Sequence, residues 1–323
     1  MSDTVYKTQA YSFDISSADI NGPLNLKETV LSAQTSEPEW SRNQTSFTDV
    51  EVLDGIPVKY SLFQLGNVDA FTIRVNMQGF GIGPDFGGRL RRHLEKVLGL
   101  NDDLPSFYKT FSDEQPLAST FTRLRGLRLM RGTDLYESLI FSILSQNSSA
   151  KKMNRTARLL MENYGSKVVF PDGSHHFLFP RPQDLAKSSA RELRAKTAIG
   201  YRASSVVEVS KLVSGGEIQL AQLADRPYEE AVRVLLELPG VGPKVADCFL
   251  LYGLGRLEAA PVDVWIHRIV SKLYFRKRKI SKLMAARFLR GHFGKWAGYA
   301  QLYLFDYARR EAIGVKNRGK RRV

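Results

Sequence analysis

The chain has 323 residues, 43% of them hydrophobic and 25% charged, the proportions of a globular chain and not of a disordered one. No apolar run approaches the roughly 18 to 20 residues a membrane span needs, and the opening MSDTVYKTQAYSFD lacks a basic stretch leading into an apolar one, so neither a membrane protein nor an exported one is expected. A net charge of +14 favours a polyanionic partner, nucleic acid before an acidic membrane, while the single cysteine, Cys248, excludes a disulfide framework and any four-cysteine zinc or iron–sulfur site.

In chain order, residues 1–118 read as an α+β domain built on an antiparallel sheet. Val50 and Val52 alternate with polar residues, Asp54-Gly55 signals a hairpin, and Val58, Tyr60 and Leu62 alternate after it. Gly66-Asn67 gives the next turn, and Phe71, Ile73 and Val75 the next strand. Leu90, Leu94 and Val97 mark an amphipathic helix ending near Gly99, and residues 101–119 read as a connector. From about residue 120 the apolar period becomes helical. Asp134, with Glu137 three residues on, caps a helix through LYESLIFSIL that is apolar on nearly every side and so belongs in a core. Met153, Ala157, Leu160 and Tyr164 mark the next helix, stopped at Gly165, and residues 175–182 read as a loop. Helices are expected at about 183–196, 201–213, 227–237, 243–254, 264–274, 280–291 and 295–312. The expected division is therefore a sheet domain at 1–118, an all-helical domain at 119–314 and a basic tail at 315–323.

The most specific string is LPGVGPK, residues 238–244. Gly240 and Gly242 permit a tight turn and a close approach to the backbone, and Pro243 suits a first helical position, where its missing N–H costs nothing. An ordinary interhelical turn would satisfy this pattern. So would a helix-hairpin-helix, spanning about 227–254, whose amides receive a phosphate, and the basic balance favours that one. Lys244 follows in the first turn of the second helix, where desolvation and the positive helix end favour the neutral amine a nucleophile needs. Nineteen residues later Asp263, after Pro261, can cap the following helix, and a carboxylate there can also stabilise a developing cation.

The segment LPGVGPKVADCFLLYGLGRLEAAPVDV resembles the core of the helix-hairpin-helix DNA glycosylases, and most resembles the 8-oxoguanine DNA glycosylase/lyases among them. The resemblance implies that Lys244 is a Schiff-base nucleophile and Asp263 its electrostatic partner. Residues 199–203, IGYRA, resemble the family segment whose tyrosine wedges the helix and whose arginine reads the orphan cytosine, which implies those roles for Tyr201 and Arg202. Residues 143–152, ILSQNSSAKK, resemble the segment whose asparagine fills the vacated stack, here Asn147, with Lys152 where the family places an arginine. Residues 298–301, GYAQ, resemble the end of the base pocket, which implies that Gln301 binds the base edge and that Phe305 and Cys248 face its two sides. Ala33 stands where a family glycine carbonyl detects the protonated N7 of 8-oxoguanine.

The expectation from this resemblance is a base-excision repair enzyme. It flips and removes an oxidised purine opposite cytosine through a lysine Schiff base, then cuts the strand by β-elimination. Its partner is double-stranded DNA carrying a damaged base, and it works without a membrane, as a monomer. It is expected wherever the DNA lies: cytoplasm or nucleoid in a prokaryote, nucleus in a eukaryote. No cofactor or metal is expected, since His175, His176 and His267 lack metal-ligand spacing, although the hairpin carbonyls could hold a monovalent cation. Two departures bear on the lesion rather than the reaction: Trp265 stands where relatives have a histidine, and the asparagine run is broken to Asn147-Ser148-Ser149. The alternatives are an alkylated-purine glycosylase without lyase activity, which Lys244 argues against, and a non-catalytic helix-hairpin-helix DNA-binding protein, which the pairing of Lys244 with Asp263 argues against.

Overall fold

A computed structural model describes residues 8–32, 34, 39–40, 45–83, 85–276 and 278–310. Ala33 and the basic tail lie outside them.

The chain opens with strand β1 (Thr8–Ser16) and the short helix α1 (Leu26–Leu31), then β2 (Glu39–Trp40), β3 (Ser46–Leu53), β4 (Ile56–Gly66) and β5 (Phe71–Phe80). These strands form one antiparallel sheet in the order β1-β5-β4-β3-β2. Asp54 and Gly55 both adopt positive φ, 51° and 80°, the backbone a two-residue hairpin requires, so Leu53 pairs with Ile56. With that register fixed, Val58, Tyr60 and Leu62 of β4 and Ile73, Val75 and Met77 of β5 share the buried face. Helix α2 (Phe86–Val97) lays Phe86, Leu90, Leu94 and Val97 into the same core.

Helix α3 (Leu104–Thr110) forms inside the expected connector. Asp103 accepts from the Ser106 amide at 3.1 Å as its N-cap, and Leu104 and Phe107 are buried. Leu104, Phe107 and Tyr108 on a seven-residue helix are too few to show a period in the sequence. The buried residues divide into two clusters. One runs from Ile15 to Leu100 and includes Met130, while the other starts at Leu104 and runs to Ala308, so α3 packs with the helical core. The seam between the cores thus falls ahead of the boundary expected at 118.

Arg128 spans that seam. Its side chain is fully buried and donates to the carbonyls of Asn21 (2.7 Å), Pro23 (2.9 Å), Gly99 (2.7 Å) and Asp102 (3.2 Å).

The helical domain follows with α4 (Leu135–Leu144), capped by Asp134 as expected, and α5 (Ala150–Tyr164). Part of the expected 175–182 loop is strand β7 (His175–Phe177), which pairs with β6 (Lys167–Val169). Strands this short leave no alternation to read. The single helix expected at 183–196 is two, α6 (Pro182–Ala186) and α7 (Ala190–Lys196), because Ser189 caps a new start by accepting from the Glu192 amide at 3.1 Å. Then come α8 (Ala203–Ser214), α9 (Tyr228–Leu236) and α10 (Pro243–Cys248). The helix expected at 243–254 switches after Cys248 to a π turn, Phe249–Gly253. The remainder is α11 (Val264–Leu273), α12 (Lys282–Phe293) and α13 (Ala297–Arg310). Among the described residues no helix is long and apolar enough to cross a membrane.

Candidate active site

The turn between α9 and α10 has the geometry its sequence requires. Leu238 and Val241 are buried and anchor it, and the Val241 amide donates to the Leu238 carbonyl at 3.0 Å. Gly240 sits at φ +79°, and a Cβ there would lie 2.4 Å from Ser205 Oγ, so only glycine fits. A Cβ at Gly242, the N-cap of α10, would meet nothing within 4 Å, leaving the helix N-terminus open to an approaching group.

Lys244 and Cys248 lie one turn apart on α10 and therefore share a face. Lys244 Nζ donates to Ser145 Oγ at 2.6 Å, and Ser145 Oγ in turn donates to the Ser142 carbonyl at 2.6 Å. The serine proton is committed to that carbonyl, so the hydroxyl acts toward the lysine only as an acceptor. Burial pushes the Cys248 thiol up in pKa, against the pull of the neighbouring Lys244. Asp263 caps α11, accepting from the Ile266 amide at 2.8 Å, and buried Pro261 and Val262 set its approach. On α13, Gln301 is 6% exposed and its Oε1 has no hydrogen-bond partner, while half-buried Phe305 follows one turn later.

All five of these side chains line one cavity of about 1380 Å³, together with Ser145 and Phe141 of the α4 face. Strand β3 and Gln34 of the sheet domain close its far side, so the cavity belongs to both domains. Gln34 is fixed there by donating to the Arg128 carbonyl at 2.8 Å and accepting from the Met130 amide at 3.0 Å. Among the described residues no three His, Cys, Asp or Glu side chains gather to hold a metal.

Of the other expected residues, Asn147, Tyr201 and Arg202 form a second group. Tyr201 is 60% exposed. Asn147, held at φ +43°, donates to the Tyr201 hydroxyl at 3.3 Å. Lys152 is exposed in the first turn of α5. Arg202 is only 3% exposed: its guanidinium lies 4.6 Å from the Tyr201 ring centroid and donates to the carbonyls of Ile199 and Gln146. Sequence reasoning misses Gln146, which joins this group to the hairpin by donating to the Gly240 carbonyl at 2.8 Å. It misses Ser145 as well. Both directly precede Asn147 in ILSQNSS, and that adjacency is the one signal that could have found them.

The flank of α10 beside Lys244 and Cys248 carries a buried carboxyl. Asp247 accepts from the Tyr228 hydroxyl and lies 3.8 Å from Arg290 Nη1, whose guanidinium covers the Tyr228 ring. Burial pushes Asp247 up to about 6, against the Tyr228 hydrogen bond and the Arg290 charge. A carboxyl whose folded pKa is raised binds more protons folded than unfolded. Its contribution is therefore complete below about pH 4 and is lost as pH rises toward 6. Urea melts across that window are expected to show stability falling by about 1.4 kcal/mol per pH unit from this group, and Asp247→Asn to flatten the curve. An unchanged slope in the variant would refute the assignment.

The two-glycine hairpin thus leads into a lysine that lines the same cavity as Asp263. The family model for the HhH-GPD superfamily base excision DNA repair proteins matches residues 140–293. A probable N-glycosylase/DNA lyase of Methanothermobacter thermautotrophicus is 33% identical over 311 residues, 90% of this chain and 96% of that protein. The solved structure of MBOgg1 with a low-affinity DNA ligand is 27% identical at a TM-score of 0.76, covering 95% of this chain and 99% of that one. The Clostridium acetobutylicum 8-oxoguanine glycosylase/lyase, at 22% identity and a TM-score of 0.78 over the same shares, shares the fold. The chain belongs to the HhH-GPD superfamily of base excision DNA repair proteins. Within it the chain is a bifunctional DNA glycosylase with DNA lyase activity.

Proposed function

We propose that the enzyme removes 8-oxoguanine opposite cytosine from duplex DNA and opens the sugar through a Schiff base on Lys244. The observation that carries this reading is that Lys244, Cys248, Asp263, Gln301 and Phe305 line one cavity in which Gln301 Oε1 is buried without a partner. An unsatisfied buried acceptor favours a ligand that brings a donor, and a purine edge brings one. Phe305 and Cys248 give the base an apolar slot, as base-flipping enzymes require. In the reaction Nζ of Lys244 bonds to C1′ as the bond from C1′ to the base breaks, the base leaving with the electron pair. Asp263 stabilises the positive charge at C1′. The departing base takes a proton from Nζ, and the C1′–O4′ bond breaks to give the protonated imine, with O4′ taking a proton from water. Water accepts a C2′ proton, and the C3′–O bond breaks with its electron pair leaving on the 3′ phosphate. The lysine supplies the chemistry, so the reaction needs no cofactor.

The surface group is assigned to holding the opened duplex. Tyr201 and Asn147 fill the gap, Lys152 and Arg202 face the orphan cytosine, and Gly240 and Gly242 bring the hairpin to phosphate. Arg202 reaches the cytosine by exchanging its carbonyl partners for the base. The Clostridium protein was solved with DNA containing cytosine opposite 8-oxoguanine, which supports the choice of lesion and pair.

Ser145 holds the nucleophile by accepting one of its hydrogen bonds. Loss of a hydrogen bond to the neutral amine is worth about 0.5 to 1.5 kcal/mol, so Ser145→Ala is expected to slow single-turnover cutting by about twofold to tenfold while leaving DNA affinity intact, with Ser145→Thr recovering most of the rate. The lesion assignment is tested by base release from duplexes holding 8-oxoguanine opposite each normal base, beside a 7-methylguanine duplex. Release led by the cytosine pair is expected. Preferential release of the alkylated base without strand nicking would replace this reading with the monofunctional one.

A further inference from the structure

Between Asp263 and Asp306 the sequence holds ten lysines and arginines and not one aspartate or glutamate. Elsewhere on the surface arginines are commonly neutralised, as in Arg74 with Asp14, Arg89 with Asp54 and Arg125 with Asp69. Among the described residues, Lys272, Arg278, Lys279 and Lys282 are exposed and have no carboxylate within ion-pair reach. They are ordered in space. Val264, 44% exposed, begins the outer face of α11, and exposed Arg268 and Lys272 follow at successive turns. The next loop is pinned to α11 where a ring nitrogen of His267 lies 2.7 Å from the Ile280 carbonyl, and is closed on itself where the Arg278 amide donates to the Phe275 carbonyl at 2.8 Å. Arg276 is held there at φ +48°, a conformation costly for a residue with a side chain and found where the surroundings impose it.

We propose that the outer face of α11, the loop after it and the first turn of α12 form a second phosphate track, binding the backbone of the duplex that flanks the lesion. Clustered like charges repel one another, and a polyanion releases that repulsion. The occupant is set by position. The face starts at Val264, next to Asp263 in the wall of the cavity, and α11 extends it by about 15 Å at about 1.5 Å per residue. A duplex that delivers a nucleotide to this cavity has to continue past its rim. The track lies on different elements from the hairpin and adds length to the footprint rather than chemistry. The inference rests on the reading that this cavity receives a nucleotide from duplex DNA.

The test measures binding by fluorescence anisotropy with duplexes carrying a tetrahydrofuran abasic analogue. One duplex just covers the site, and the others are extended by one helical turn on either side. Wild type is compared with Lys272→Gln/Arg278→Gln/Lys279→Gln/Lys282→Gln, all exposed positions, and with the charge-keeping Lys272→Arg/Arg278→Lys/Lys279→Arg/Lys282→Arg. Wild type is expected to gain affinity on one extended duplex. The glutamine variant should forfeit that gain, with the slope of log Kd against log salt shallower by about 0.9 for each phosphate left without its cation. The charge-keeping variant should restore both. An unchanged slope, or an equal weakening on short and extended duplexes, would overturn the track and leave the proposed reaction standing. Failure of wild type to bind any of the duplexes would overturn both.

Discussion

Lys244→Gln is expected to abolish strand nicking and covalent capture while DNA carrying an abasic analogue still binds. Glutamine keeps a long polar side chain but has no amine, so no imine can form. The loss in cutting rate should be roughly 10⁴-fold or more, the scale at which removing a covalent nucleophile leaves only binding and electrostatic help. The fold should survive, because Lys244 is only half-buried and the amide can replace its 2.6 Å hydrogen bond to Ser145 Oγ. Single-turnover nicking assays with urea melts beside them separate the two effects. A variant that still nicks at about a tenth of the wild-type rate would exclude Lys244 as the nucleophile.

Arg128→Met is expected to cause a large loss of stability, about 2 to 6 kcal/mol, from two buried carbonyls left unsatisfied at about 1 to 3 kcal/mol each. The side chain is fully buried, and burial pulls its pKa below the usual arginine value, yet no carboxylate is among its hydrogen-bond partners. Its N–H groups instead satisfy carbonyls of Asn21, Pro23, Gly99 and Asp102, which belong to segments that meet where the two cores join. Methionine fills much of the volume but leaves the Asn21 and Pro23 carbonyls without a donor, while Gly99 and Asp102 keep the amides of Asp102 and Leu104, and unsatisfied buried acceptors carry the desolvation cost in full. Arg128→Lys should recover only part of the loss, because an ammonium is a point donor and the carbonyls are arranged around a planar fork. Gln34, in the cavity wall, donates to the Arg128 carbonyl, so activity should fall with stability in this variant. Thermal melts check it, and an unmoved melting temperature would mean that the carbonyls find other donors.

The sheet was legible because each strand carries its own alternation and two of the turns carry glycine at positive φ, Gly55 and Gly66. Helix α3 and the pair β6 and β7 were not, since elements of three to seven residues hold too few apolar positions to set a period. The hairpin and its lysine were legible because LPGVGPK encodes the turn locally, and Asp263 because a capping aspartate after a proline leaves a local mark. Ser145 and Gln146 were not. A serine and a glutamine at a helix end read as ordinary capping, and their partners, Lys244 and Gly240, lie more than ninety residues away. The closing of the cavity by β3 and Gln34 is likewise a product of packing between distant segments. The expected detector residue Ala33 falls outside the described residues.

Covalent attack by Lys244 on the sugar is tested most directly by trapping. Wild-type enzyme reacting with an 8-oxoguanine–cytosine duplex is reduced with borohydride, the trapped complex is digested, and the sugar adduct is located by mass spectrometry. A reduced adduct on the peptide containing Lys244, and on that side chain, is the expected result. An adduct on another lysine or on the N-terminal amine would contradict it.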